Sequence, residues 1–333
     1  MKSNNNFNRL LYGLFFLILF TTSCIKEKDI VPELTGIPGG GLLDAEVKTV
    51  NGNSVTFRLD LFAVNQYGDF IENLDGKCLS VDDNYPQAEL VTISRGDNID
   101  KGSYSAALLF DQSGSITGTD PDDARVEAGK GFVDIMGSGD EVALTAFSSG
   151  GYFPGNPSIV HTFSDDKDDL KIDICDLADK EDGGTPLYYS IYNLVCYVND
   201  NAKNSNKAVI VMTDGEDTEG LVIPQSIIDI AQAKGVEIYT IGLGSLANYD
   251  VLQEIALGTG GAVMLAQDAL QLISLYNSLA DLLRGNGVFY ETCWQLKKPG
   301  GGAWQSGDVI ITVINLSLPT GETIEFPVRL VIP

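Results

Sequence analysis

The chain has 333 residues, with 21 Lys or Arg against 46 Asp or Glu and a formal net charge of −25. That length has room for about two domains and buries cores without help from metals or disulfides. The charge argues against a nucleic-acid partner, because a polyanion is repelled rather than steered in; cationic partners and metal ions fit better, and most of the acids read as a solvated surface.

Residues 1–24 form a targeting segment. Lys2 and Arg9 make a positive start, Leu10 to Phe20 is an apolar run too short to span a bilayer comfortably, and Thr21-Thr22-Ser23 leads to Cys24. This pattern resembles the lipobox of bacterial lipoproteins, whose Cys becomes the lipidated first residue. It departs from that pattern at Thr21, where an aliphatic residue is usual. The charged stretch Ile25 to Asp29 resembles the retention or surface-export signals of some Gram-negative lipoproteins. The resemblance implies an outer-membrane lipoprotein of the cell envelope, surface-exposed or periplasm-facing and held by its N-terminal lipid. Residues 25–42, with Pro32, Pro38 and Gly39-Gly40-Gly41, read as a flexible tether.

From residue 43 to 96 the pattern has a period of two. Val55, Phe57, Leu59 and Leu61 share one face, and Asn51-Gly52 just before them is a hairpin signal. About four strands are expected, too few for a stable sandwich alone. The same period returns in residues 287–333, where Ile324, Phe326, Val328, Leu330 and Ile332 share a face and Pro327 marks an edge strand. Residues 43–96 plus 287–333 are therefore expected to fold together as a seven-stranded β-sandwich of immunoglobulin-like size.

Between these halves, residues 103–285 alternate strand and helix signals, the mark of a doubly wound α/β domain with a mostly parallel sheet. Asp120-Pro121-Asp122-Asp123 predicts a helix start, with an Asp N-cap and Pro in the first turn. Four cysteines lie beyond Cys24. In an exported chain an even count permits two disulfides with three connectivities. We expect Cys78 with Cys293, stapling the two halves, and Cys175 with Cys196, flanking the Gly183-Gly184-Thr185-Pro186 loop.

In an open α/β sheet, ligands collect at the carboxyl ends of the strands where the strand order reverses. Asp111 directly follows the apolar run Ala107 to Phe110, Asp214 follows the strand Lys207 to Met212, and Thr185 opens the intervening helix. Asp111, Ser113, Ser115, Thr185 and Asp214 are thus placed to converge as an all-oxygen set, which suits a hard cation. In a workable site the three hydroxyls bind directly while Asp111 and Asp214 hold bound waters, leaving the ion charge enough to accept a partner's acid.

These residues, as Asp-x-Ser-x-Ser at 111–115, Thr185 in its GGTP loop and Asp214 in a TDG turn, resemble the metal-ion-dependent adhesion site of von Willebrand factor type A domains. The resemblance covers roughly residues 103–285. It implies a doubly wound fold, magnesium or manganese at the site, with calcium possible, and binding of a protein ligand that presents an acidic residue. A surface-anchored binding module that is not an enzyme follows. The alternatives are a structural subunit of an envelope assembly, in which the metal only supports the fold, and a metal-assisted hydrolase. In relatives whose domain is inserted in a sandwich, the last helix, here Asp268 to Leu283, couples its movement to metal affinity.

Other motifs are weaker. Ile241-Gly242-Leu243-Gly244 lacks the third glycine of a dinucleotide loop and reads as a strand-end turn. The acids between Asp165 and Asp173 do not match EF-hand spacing. His161, the single histidine, has no nucleophile elbow to serve.

Overall fold

Two antiparallel strands begin the fold, β1 (Gly39–Asn51) and β2 (Ser54–Val64); the hairpin is present, but its two turn residues are Gly52 and Asn53 rather than Asn51 and Gly52, with Gly52 at φ +60° in the first turn position and Asn51 paired with Ser54. A 3-10 turn (Gly76–Cys78), β3 (Leu79–Val81) and β4 (Glu89–Arg95) follow. The alternating region then runs β5 (Tyr104–Asp111), α1 (Ile116–Thr119), α2 (Ala124–Asp134), β6 (Glu141–Phe147), β7 (Ser158–Ser164), α3 (Lys167–Cys175) and α4 (Leu187–Asn201). It continues through β8 (Asn206–Thr213), α5 (Pro224–Lys234), β9 (Val236–Leu243), α6 (Tyr249–Gly258), β10 (Val263–Ala266) and α7 (Gln271–Arg284). Strands β11 (Tyr290–Lys297), β12 (Val309–Ser317) and β13 (Thr323–Val331) close the chain. This computed structural model describes residues 36–333, which belong to one compact unit. The leader, Cys24 and the tether up to residue 35 lie outside the described residues.

Ten strands form one sheet in the order β4-β11-β2-β1-β10-β9-β8-β5-β6-β7. Its centre, β10 through β6, is parallel, and β7 pairs antiparallel at one edge. Every residue of β5 and β6 is buried, as expected of strands covered on both faces. Ala107 and Leu109 point into a core shared with α4, α5 and α6; Ala106, Leu108 and Phe110 point into a second core with α2, α3 and α7.

The flanking segments do not build a separate immunoglobulin-like sandwich. β1 pairs with β10 through Gly41↔Met264 and Leu42↔Val263, so β1, β2, β11 and β4 prolong the α/β sheet itself. The other three, in the order β13-β12-β3, form a small sheet whose Ile314, Leu316, Phe326 and Val328 join the core containing Phe57, Leu59 and Trp294. Seven strands do make two layers, but one layer belongs to the doubly wound sheet. Pro327 lies on the outer strand β13, where its missing N–H disrupts no second ladder.

The glycine tract explains why the tether expectation fails for residues 39–42. A Cβ on Gly40 would lie 2.5 Å from the Phe62 carbonyl oxygen, and one on Gly41 2.5 Å from that of Val263. These glycines permit close strand approach rather than flexibility. Helix α2 also starts later than expected: Asp123, at φ +55°, precedes it, while the Asp120 carboxylate accepts the N–H groups of Ala124 (2.7 Å) and Arg125 (3.1 Å).

Neither expected disulfide forms; Cys78, Cys175, Cys196 and Cys293 are free thiols. Cys175 ends α3 and Cys196 lies on α4, helices that cover opposite faces of the sheet. Cys78 packs on the Trp294 face, whereas Cys293, one residue before Trp294 in a strand, points to the other face.

Candidate metal centre

The strand order reverses between β5 and β8, since β5 is followed in the chain by its neighbour β6 on one side and later by β8 on the other. Asp111 ends β5 and Asp214 immediately follows β8, so both carboxylates stand at the switch-point crevice. Both are fully buried.

Asp111 is held from two directions. Its Oδ1 accepts the Ser113 N–H at 2.8 Å, and its Oδ2 accepts the Thr213 hydroxyl at 2.6 Å. The Ser113 and Ser115 hydroxyls lie 3.1 Å apart, and Ser115 donates to Asp214 Oδ1 at 2.7 Å. Thr119, one helical turn after Ser115, donates to Asp214 Oδ2 at 2.5 Å.

Thr185 arrives by backbone pairing. Its N–H donates to Thr218 Oγ1 and its carbonyl accepts the Thr218 N–H, each at 2.9 Å, which ties its loop to the turn bearing Asp214. A Cβ placed on Gly215 would lie 3.8 Å from Thr185 Oγ1, which puts the hydroxyl against that turn. The Thr185 loop is also joined to the Asp111 loop, with Gly114 N–H donating to Gly183 O at 3.0 Å and Asp182 N–H to Gln112 O at 2.9 Å. All five residues expected from the sequence therefore meet at one edge.

Burial pushes the Asp111 carboxyl up to about 6; hydrogen bonds from Thr213 and Ser113 oppose the shift, and the charge of Asp214 adds to it. A buried carboxylate facing a second one favours either a proton or a cation beside it. The chemistry of the donor set fits a hard divalent ion, with three hydroxyls and two carboxylates and neither His nor Cys among them. Among the described residues, no group of three or more His, Cys, Asp or Glu converges.

Beneath the loops lies a network that the sequence reading missed. Arg125, fully buried, donates through Nη1 to Asp120 Oδ2 (2.9 Å) and Asp123 Oδ1 (2.8 Å). Through Nη2 it reaches Gln112 Oε1 (3.1 Å) and Glu181. Gln112 adjoins Asp111 and Glu181 lies in the Thr185 segment, so one guanidinium spans both loops. Thr119 and Thr213 were also missed; their signals were the i, i+4 spacing from Ser115 and the position directly before Asp214.

Gly244, Asp166 and His161 have structural roles. Gly244, at φ +70°, turns β9 and donates to Ala266 O at 2.7 Å. Asp166 caps α3 by accepting the N–H groups of Asp168 (3.1 Å) and Asp169 (3.2 Å). His161 Nδ1 pairs with Asp173 Oδ2 at 2.7 Å.

Residues 107–278 match the family described as von Willebrand factor type A domain. Among curated proteins, calcium-activated chloride channel regulator 1 of Equus caballus is 26% identical over 215 residues, covering 63% of this chain and 23% of that protein. The chain thus spans about a quarter of the length of the curated relatives it matches. Among solved structures, a von Willebrand factor type A protein from Catenulispora acidiphila is 14% identical, with 90% of this chain and 74% of that chain covered and a TM-score of 0.48. Proximal thread matrix protein 1 from the mussel byssus, solved with a zinc-occupied MIDAS motif, is 22% identical, with 60% and 49% covered and a TM-score of 0.47.

Proposed function

The chain belongs to the von Willebrand factor type A domain family, and on that premise we propose that it is a surface-anchored binding module that engages an acidic residue of a protein partner through a metal ion. Domains of this family are typically adhesion or protein-interaction modules with a divalent-metal site. One observation carries the reading for this chain: Ser115, from the β5–α1 loop, donates to Asp214, which follows β8, at 2.7 Å, so that the loop hydroxyls and both carboxylates face one crevice.

Ser113, Ser115 and Thr185 would hold the ion, with Asp111 and Asp214 orienting its bound waters. When bound, a magnesium or manganese ion supplies positive charge and an open position for a carboxylate oxygen. The chain's own residues do the rest. Thr213 and the Ser113 N–H orient Asp111, Thr119 orients Asp214, and Thr218 sets the height of Thr185. The reading assigns no reaction to the protein. The site segments 111–120, 182–186 and 214–223 contain no Lys or Arg to grip a phosphoryl group, which favours binding over hydrolysis.

The same reading places the leader 1–24 as a lipoprotein signal, with Cys24 lipidated and the folded unit held at the outer membrane. No helix among the described residues is long and apolar enough to cross a membrane. Cys24→Ala should release the protein from the membrane fraction; retention there would contradict lipid anchoring. For binding, pull-down from envelope and matrix extracts with and without EDTA is the direct test. The proposal expects chelation and Asp111→Ala each to abolish capture while the circular dichroism spectrum is unchanged. Capture that survives both would overturn it.

A further inference from the structure

The loops around the metal centre carry much of the molecule's exposed apolar surface. Among the described residues, seven large apolar side chains are at least 60% exposed, and four of them, Tyr152, Leu221, Ile223 and Leu246, lie on the connections leaving β6, β8 and β9. All of these connections open at the carboxyl edge that holds Asp111 and Asp214. Scattered apolar residues need no explanation, but a group around one site marks an interaction surface.

A groove gives this surface a direction. A cavity of about 520 Å³ is lined by Thr119, which donates to Asp214, together with Leu246, Leu265, Gln267 and Glu325. Glu325 comes from β13, so part of the lining is supplied by the small sheet rather than by the α/β region. The ion pairs of the C-terminal strands are Lys298–Asp308 and Arg329–Asp250. Among the described residues Glu325 has none.

The electrostatics constrain what can lie here. A divalent ion is offset by Asp111 and Asp214 alone. Around it Asp182, Glu216 and Glu219 are exposed, and segments 111–120, 148–157, 182–186, 214–223 and 244–248 contain no Lys or Arg. A ligand offering only acids would meet uncompensated like charge, which suppresses such partners.

We propose that the partner segment seated at this edge combines three chemistries: a carboxylate at the metal, an apolar side chain against Leu246 and Leu265, and a Lys or Arg against Glu325. The carboxylate gives attachment, the apolar contact gives buried area, and the basic group sets direction along the groove. This assignment rests on the metal-bridged binding reading and specifies its partner.

A random-peptide display library, selected on the folded chain with Mg²⁺ and again with EDTA, tests it. The expected result is Mg²⁺-dependent enrichment of peptides that combine an acid, an apolar residue and a basic residue. On Glu325→Lys the basic preference should turn acidic, and a peptide selected on the wild type should bind about 2- to 5-fold more weakly, as for an exposed charge pair. Glu325 lies outside the metal-holding residues, so ion binding serves as the folding control. Acidic peptides enriched without the apolar and basic positions, or a selection indifferent to Glu325→Lys, would overturn this assignment while leaving metal-bridged binding intact. Enrichment equal with Mg²⁺ and EDTA would overturn both.

Discussion

Ser115 and Asp214, 99 residues apart in sequence, meet in a 2.7 Å hydrogen bond from hydroxyl to Oδ1. The bond closes the crevice between β5 and β8. It places a serine, which leaves charge on a bound ion, beside a carboxylate that can orient that ion's waters.

The titration of Asp111 makes metal binding depend on pH. Its folded value of about 6 lies above the ordinary carboxylate value, with burial the largest cause. A raised folded value means the protonated form contributes stability below about pH 4 that is lost as pH rises through about 6. The metal-free protein should therefore lose up to about 3 kcal/mol over that window. A cation binds the ionised form, so metal affinity should rise across the same window and level off above it. Thermal melts in EDTA and in Mg²⁺ from pH 4.5 to 7.5 check this: the gap should widen with pH, and a constant gap would contradict it.

Arg125 gives a second prediction. Arg125→Met leaves Asp120, fully buried, and Glu181 without their cation, at a cost of about 3–5 kcal/mol as for other broken buried pairs. Arg125→Lys should recover only part of this, because an ammonium cannot reproduce the fork that reaches Gln112 as well. Urea denaturation of both variants measures the effect. Metal affinity should fall even where the fold persists, because both loops lose their common tie.

Much of this arrangement was legible in the sequence. Strands β5 and β8 contain continuous apolar runs, Ala106 to Phe110 and Ala208 to Met212, that end in turn residues, and the alternation of strand and helix around them admits few topologies. Asp111, Ser113, Ser115 and Asp214 were readable because they stand at or just past such an end, and Thr185 because its GGTP loop opens the intervening helix. Arg125 was not: in sequence it looks like a charged residue in an early helical turn, and its burial depends on Gln112 and Glu181 arriving from elsewhere. The sandwich expectation failed at Gly40 and Gly41, where composition alone suggests a linker. Their role as a close strand contact depends on β10, more than two hundred residues later.

The free thiols give a third prediction. Cys78, Cys175, Cys196 and Cys293 should all react with a thiol reagent after denaturation without reductant, giving four equivalents in the chain freed of its leader. The melting temperature should be the same with and without reductant. Two missing equivalents would place a disulfide where opposite strand and sheet faces now separate the pairs.

The hydroxyl of Thr213 gives a fourth. Thr213→Val keeps the shape but removes the 2.6 Å hydrogen bond to Asp111 Oδ2, leaving a buried carboxylate oxygen unpartnered. The loss for a hydrogen bond to a charged group is about 1.5–3 kcal/mol. Metal affinity should drop by about 10- to 100-fold, as when groups that orient ligands are removed, and Thr213→Ser should restore most of it.

Titration of Mn²⁺ into the metal-stripped protein, followed by electron paramagnetic resonance, tests the central claim most directly. The account predicts one saturable ion per chain, weakened by about 10- to 100-fold in Asp214→Ala and in Ser115→Ala, with the circular dichroism spectrum unchanged. No saturable binding, or equal affinity in the wild type and both variants, would contradict it.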